Sequence, residues 1–205
     1  MISKEELDRA FDARFAPEIK EKLQSARVAV AGLGGLGSNI AVMLARSGVG
    51  HLFLVDFDRV DTTNLNRQAY TIPHLGMNKT DAIKLILADI NPYLDIKTQC
   101  VKVTPENVSS LFGDYKYVCE AFDKPDQKAM LVRELLTQTG ATVVSGNGMA
   151  GFGDSNGIKT NKINSRLFVC GDLTTDVGGG TGLMAPRVAV CAGHQANKII
   201  QLILE

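Results

Sequence analysis

Hydrophobic positions along this chain recur with two periods. Phe11, Phe15, Ile19 and Leu23 repeat every four residues, which predicts helix over residues 4–24, restarting at Pro17. "RVAVAG" (27–32) is a continuous apolar, β-branched run, the pattern of a strand buried on both faces. Helix is predicted next over Ser38–Ser47, ended by Gly48, then a strand at "HLFLVD" (51–56). "VDTTNLNRQAYTIPHLGM" (60–77) is polar and irregular, a loop with a short helical turn. Helix resumes over Asn78–Ile90 and stops at Asn91-Pro92. "DIKTQCVKV" (95–103) alternates as a strand does, residues 105–111 read as a short helix, and "YKYVCEAF" (115–122) is another strand. A helix over Pro125–Thr139 and a strand at "TVVSGN" (142–147) follow. The alternation then weakens. "GIKTNKINSRLFVCGD" (157–172) reads as a hairpin, "TTDVGGGTG" (174–182) as a glycine-rich loop and residues 184–204 as a closing helix.

Strands that alternate with helices predict a Rossmann-like, doubly wound α/β fold. Its sheet is mainly parallel, with helices on both faces and an antiparallel hairpin near the C-terminus. No interdomain linker interrupts the pattern, so residues 1–205 are expected to form one domain, with 1–24 as a helical arm. Ligands of such sheets bind beyond the carboxyl ends of the strands.

Composition narrows the picture only slightly. The 205 residues are 45% hydrophobic and 21% charged, ordinary for a globular domain. Twenty-two basic residues balance twenty-two acidic ones, which gives no electrostatic footprint for nucleic acid. No apolar run is long enough to span a bilayer, and the charged start has no signal-peptide core; the expectation is a cytoplasmic protein with neither membrane nor nucleic-acid partner. Four cysteines, Cys100, Cys119, Cys170 and Cys191, form no CxxC pair, so no structural zinc is expected and the thiols are read as free and mostly buried.

The candidate chemistry begins at "GLGGLG". This G-x-G-x-x-G follows a strand and opens a helix, where its glycines permit a tight turn, close approach of phosphate and close helix packing. Gly32, Gly34, Gly35 and Gly37 are the candidate nucleotide-binding glycines. Asp56, at the end of the next strand, suits ribose hydroxyls. The motif fixes an adenosine and its nearest phosphates, which NAD and ATP share. The three histidines, His51, His74 and His194, sit where structural or solvent-exposed roles are expected, and no P-loop pattern GxxxxGK[ST] occurs.

The stretch "DFDRVDTTNLNRQ" says more. It holds Asp56, Asp58, Asn64 and Arg67; Lys79 then opens a helix and Asp123 follows a strand end. All should converge on the carboxyl edge of the sheet. Arg67 offers a planar fork of donors for phosphate oxygens, and Lys79 a compact positive charge. Asp123 is the candidate ligand for magnesium, a cation commonly held by one or two carboxylates plus phosphates. For Arg67 and Lys79 taken singly, a solvated loop charge is the competing reading.

Together, "GLGGLGSN", "DFDRVDTTNLNRQ", the lysine after "GMN" and the strand-end aspartate resemble the ThiF/MoeB branch of the ubiquitin-activating-enzyme-like superfamily. "SGNGMAGFGDSNGIKT", "GDLTTDVGGGTGLMAPRV" and "HQAN" are similar to the short form of ThiF. The resemblance implies ATP-dependent adenylation of the C-terminal glycine carboxylate of a ubiquitin-like sulfur-carrier protein ending in Gly-Gly. The carrier so implied is ThiS-like, of thiamine biosynthesis, with a molybdopterin carrier, a peptide terminus, a tRNA base or a non-catalytic NAD site as the alternatives. It implies ribose binding by Asp56, phosphate contacts by Asn64, Arg67 and Lys79, and Mg2+ at Asp123. It also implies a homodimer in which an N-terminal arginine, Arg14 or alternatively Arg9, enters the neighbouring subunit's site. Three departures stand out. The zinc-binding CxxC pairs of longer relatives are missing. The arm is closer to the glycine turn than in those relatives. The only candidate for a covalent link to the carrier is Cys170, whose competing reading is a buried strand thiol; on that second reading sulfur transfer falls to a separate donor. "SGNGMAGFG" is expected to wall a channel for the carrier tail and "TTDVGGGTG" to cover it.

Overall fold

The apolar run at 27–31 forms β1 (Arg27–Ala31) inside a seven-stranded sheet. In this computed structural model, which describes residues 2–205, Val28 and Val30 face one side of the sheet and Ala29 and Ala31 the other. All four are fully buried, which is why the run carries no polar alternation. The other strands are β2 (His51–Val55), β3 (Asp95–Gln99), β4 (Tyr117–Glu120), β5 (Thr142–Gly146), β6 (Lys159–Lys162) and β7 (Leu167–Gly171). Their order is β3-β2-β1-β4-β5-β7-β6, parallel throughout except for the β6–β7 hairpin. The chain winds outward from β1 in one direction and then returns to β4 on its other side, so a crevice opens between the carboxyl ends of β1 and β4.

Helices cover both faces. Apolar residues of α2 (Pro17–Ser25), α3 (Gly35–Arg46), α4 (Lys79–Ile90) and α7 (Ala185–Leu204) share one core with Val28, Val30, Cys119 and Cys170. Those of α5 (Val108–Phe112) and α6 (Pro125–Gln138) share the other with Ala29, Phe53 and Val143. Each fully buried leucine or phenylalanine there contributes about 1.5–3 kcal/mol of transfer free energy.

Several predicted boundaries shift for local reasons. The first Rossmann helix begins at Gly35, not Ser38, because the glycine turn itself supplies its first turn. Asn78 is the N-cap of α4, which starts at Lys79. The strand predicted over 95–103 ends at Gln99, whose partner Val55 is the last residue of β2. The short helix lies at 108–112 in place of 105–111, after Asn107 turns back on Thr104.

The N-terminal arm, α1 (Lys4–Asp12) and α2, packs at the amino edge of the sheet. A Cβ on Gly50, just before β2, would overlap the Gln24 carbonyl oxygen, and one on Gly48 would lie 3.4 Å from the Phe11 ring. Lys22 Nζ donates to the Leu204 carbonyl at the far end of α7 (2.6 Å).

At the opposite edge, Asp172 organises the loop after β7. It accepts from the backbone N–H and hydroxyl groups of Thr174 and Thr175 at 2.8–3.2 Å and pairs with the buried Arg187 of α7. Arg187 Nη1 also donates to the Asp154 carbonyl (2.8 Å), and Leu173, beside Asp172, adopts a left-handed φ of 63°. Burial pushes the Asp172 carboxyl up, but the amides and hydroxyls of Thr175 and Thr174 more than offset this and bring it to about 2, against an ordinary 3.8.

Three outcomes are expected. A Cβ on Gly37 would overlap the Gly32 carbonyl, so Gly37→Ala should lower stability in urea by about 1–3 kcal/mol. Gly140→Ala meets nothing within 4 Å and should change it by no more than about 0.5 kcal/mol. Because the folded pKa of Asp172 is depressed, its stabilisation is present above about pH 4 and lost as pH falls through about 2. Asp172→Asn should therefore be less stable at neutral pH, with the gap from wild type closing between pH 4 and 2 in a urea series.

Candidate functional site

The turn after β1 is built by backbone and one carboxylate. Gly32 takes a left-handed φ of 91°, and a Cβ there would lie 2.8 Å from the Ala121 oxygen and 2.9 Å from the Phe122 ring. The glycine turn and the chain leaving β4 therefore meet across the crevice. Asp56 is 8% exposed. Its Oδ2 accepts from the Leu33 N–H (2.6 Å) and its Oδ1 from the Asp58 N–H (2.7 Å). The residue read as a ribose ligand thus also fixes the glycine turn, and its remaining lone pairs are what a ribose could use. Gly34 and Gly35 stand where α3 begins, with its first amides unpaired by the helix itself.

The loop from 58 to 79 folds over this turn. A Cβ on Gly35 would lie 3.4 Å from Arg67 Cγ, so the arginine stem runs beside the α3 N-terminus. Asn39 Nδ2 holds the Arg67 carbonyl (3.0 Å), and Ser38 Oγ accepts from the Ala69 N–H (3.1 Å). Arg67 Nη1 donates to the Thr63 carbonyl (3.0 Å) and Asn66 Oδ1 (2.8 Å), while Nε is buried without an acceptor. Gln68 Oε1 is likewise unpartnered, and a Cβ on Gly34 would come 4.0 Å from Gln68 Nε2. Lys79 is 6% exposed, and its Nζ lies 3.0 Å from Asp58 Oδ2. Tyr70 links the two layers, donating from its hydroxyl to the Leu33 carbonyl (2.9 Å). Asn64 is buried and closes a capping box with Asp61, its Oδ1 accepting from the Asp61 N–H (3.2 Å). It shapes the loop that carries Arg67.

Asp123 is exposed, three residues beyond the end of β4. With the glycine turn against Ala121 and Phe122, the backbone at Asp123 lies beside the same crevice. One exposed carboxylate of this kind fits a magnesium ion whose other ligands are phosphate oxygens and water. Among the described residues no cluster of three or more His, Cys, Asp or Glu side chains stands ready to hold a metal without such help.

Arg14 and Arg9 are not part of this convergence. Arg14 is exposed in the turn between α1 and α2, and Arg9 lies on α1 with its Nε on the Glu5 carbonyl (3.3 Å). The arm lies at the amino edge, about 16 Å away along a five-residue strand. Cys170 is fully buried on β7, and burial pushes its thiol up to about 11, so the reactive thiolate is disfavoured. This supports the reading of a buried strand thiol. Cys119 and Cys191 are buried too, and Cys100 is exposed. The histidines make local contacts: His51 Nδ1 with Asp95 (2.8 Å), His74 Nδ1 with the Thr71 N–H (3.0 Å) and His194 Nδ1 with Thr160 Oγ1 (3.0 Å).

Beyond β7, a cavity of about 400 Å³ opens between Asp154, Lys159, Asn161, Asp172 and Leu173. The segments read as channel wall and cover pair with each other: the Gly151 N–H donates to the Gly182 carbonyl (2.8 Å), and Gly151 bridges Leu183. Residues unnoticed in the sequence reading include Glu120, Lys128, Ser145 and Arg187. A charged residue inside the apolar run "YVCEAF" was the available signal for the first of these.

Comparison with known proteins gives the family and the fold. Over 129 residues, 62% of this chain, the sequence is 40% identical to the adenylyltransferase and sulfurtransferase UBA4 of Candida glabrata, covering 30% of that protein. Over 119 residues, 57% of the chain, it is 43% identical to the tRNA threonylcarbamoyladenosine dehydratase of Bacillus subtilis, covering 46% of it. The aligned stretches thus span less than half the length of these curated relatives. The fold is that of the E. coli tRNA N6-threonylcarbamoyladenosine dehydratase solved with ATP, at a TM-score of 0.87 and 24% identity, covering 99% of this chain and 96% of that one. Residues 7–205 match the ThiF family, and the chain belongs to that family.

Proposed function

We propose that this protein adenylates a carboxylate with ATP, and that its acceptor is the C-terminal glycine of a small ubiquitin-like sulfur-carrier protein of the thiamine pathway. The observation that carries the reading is the convergence on one crevice of the glycine turn, Arg67, the Lys79–Asp58 pair and Asp123. The adenosine lies over the glycine turn with its ribose toward Asp56, and the α3 N-terminus faces the phosphates. Arg67 and Lys79 draw charge from the phosphate oxygens as the carboxylate attacks the α-phosphorus and pyrophosphate leaves. Lys79 exchanges Asp58 for phosphate in doing so. Asp123 would hold a magnesium ion, which when bound would supply charge neutralisation for the departing pyrophosphate. Little covalent work falls to the chain, so positioning and charge placement dominate.

In this reading the carrier tail takes the cavity beyond β7, lined by Asp154, Lys159, Asn161 and Asp172, as its docking groove. Homodimerisation is part of this reading. It offers Arg14 or Arg9 a route to a crevice that neither reaches within its own chain.

A second acceptor has a specific observation behind it. The Bacillus subtilis relative is named for a tRNA nucleoside, and its threonine-derived group also ends in a carboxylate. The expectation of no nucleic-acid partner therefore gives way to a contest between two carboxylate acceptors. The balanced charge of 22 against 22 favours the carrier, since a tRNA site draws on neutralising lysines and arginines.

In ATP–pyrophosphate exchange with a Gly-Gly carrier, Arg67→Ala and Asp123→Asn should each lower the rate by roughly 100- to 1000-fold while the circular dichroism stays native. Near-normal exchange in both would remove these roles. A panel of acceptors, followed by intact mass, should show an adenylyl group added to a Gly-Gly carrier. Exchange driven only by tRNA bearing threonylcarbamoyladenosine would move the acceptor to the second reading.

A further inference from the structure

Glu120 is the last residue of β4 and has no exposed surface. A carboxylate in such a place must be fully partnered. Its Oε1 accepts from the Phe122 N–H (2.7 Å) and from Lys128 Nζ (3.1 Å); its Oε2 accepts from Lys128 Nζ (2.8 Å) and Ser145 Oγ (2.5 Å). Lys128, in the first turn of α6, gives a further bond to the Phe122 carbonyl (2.9 Å). The two peptide units that flank Phe122 are thus held from opposite sides, one N–H by Glu120 and one C=O by Lys128. The second of these units ends at the nitrogen of Asp123. Gln195 of α7, fully buried, donates to the Glu120 carbonyl (3.0 Å) and closes the base of the arrangement.

Glu120 is too deep to meet a ligand, and the bonds of the pair are spent on the chain. What it fixes is the direction in which the backbone delivers Asp123, in a turn that also abuts Gly32. Ordinary turn chemistry does not require a buried Glu–Lys pair here; the bonds from Phe122 could go to water.

We infer that Glu120, Lys128 and Ser145 are positioning residues that set Asp123 to receive the magnesium of a bound Mg–ATP. This rests on the assignment of Asp123 made above. The groups act through Asp123 as the hydrogen-bonded outer partners of a metal ligand act through it, where their loss commonly costs about 10- to 100-fold in metal affinity.

The test is equilibrium binding of ATP to the full chain by calorimetry, with and without Mg2+ over a range of concentrations. Removing one partner of a buried pair strands the other, so the principal variant is the double substitution Glu120→Gln with Lys128→Met, which removes both charges together. It should bind metal-free ATP as the wild type does but need about 10- to 100-fold more Mg2+ to reach the Mg-strengthened affinity. Ser145→Ala should shift the Mg2+ requirement the same way by less, and Lys128→Arg should restore it. An unchanged requirement in both the double variant and Ser145→Ala overturns the inference, as does loss of metal-free ATP binding in equal proportion. Asp123→Asn run in parallel separates the two levels. If it abolishes the Mg2+ response while the double variant keeps it, the positioning role alone falls. If Asp123→Asn leaves the response intact, the cation assignment falls and the inference with it.

Discussion

The carboxylate of Asp56 is the interaction on which the candidate site depends. It follows the last residue of β2, and its two oxygens hold the amides of Leu33 and Asp58. One bond fixes the turn after β1 and the other the start of the loop that carries Arg67. Strand, glycine turn and phosphate-directed loop are therefore tied at a single buried point. A buried carboxylate that loses its donors is expensive, and these backbone donors can be supplied only if both segments follow one path. The geometry of the turn and that of the loop are accordingly one property.

Much of the fold was legible because its signals were local. β1 is buried on both faces and reads as a continuous apolar run; Gly48 stops a helix, and Pro125 starts one. Boundaries drifted where a tertiary partner decides them. β3 ends where β2 ends, although its alternation continues to Val103, and no periodicity in "DIKTQCVKV" reports the length of a neighbour. α3 starts early because the glycines of a nucleotide turn are also the first turn of a helix.

The site was legible to a different degree. Spacing alone brought Asp56, Asp58, Arg67, Lys79 and Asp123 toward the carboxyl edge, since every strand of a doubly wound sheet delivers its following loop there. What each side chain does with its hydrogen-bonding capacity was hidden. Asn64 shapes its own loop, Lys79 lies against Asp58, and Arg187 serves Asp172, in each case through a partner that no local pattern announces. Glu120 was hidden most of all. Its neighbours Lys128 and Ser145 come from a helix and a strand that follow it in the chain, and only the packed sheet brings them to it.

The amino-edge arm separates attachment from chemistry. Lys22 of α2 reaches the last turn of α7 at Leu204, so the N-terminal arm and the last helix of the chain meet on the side of the sheet away from the crevice. The crevice lies at the opposite, carboxyl edge, so the elements that join the two helices and the loops that shape the candidate site share no residues.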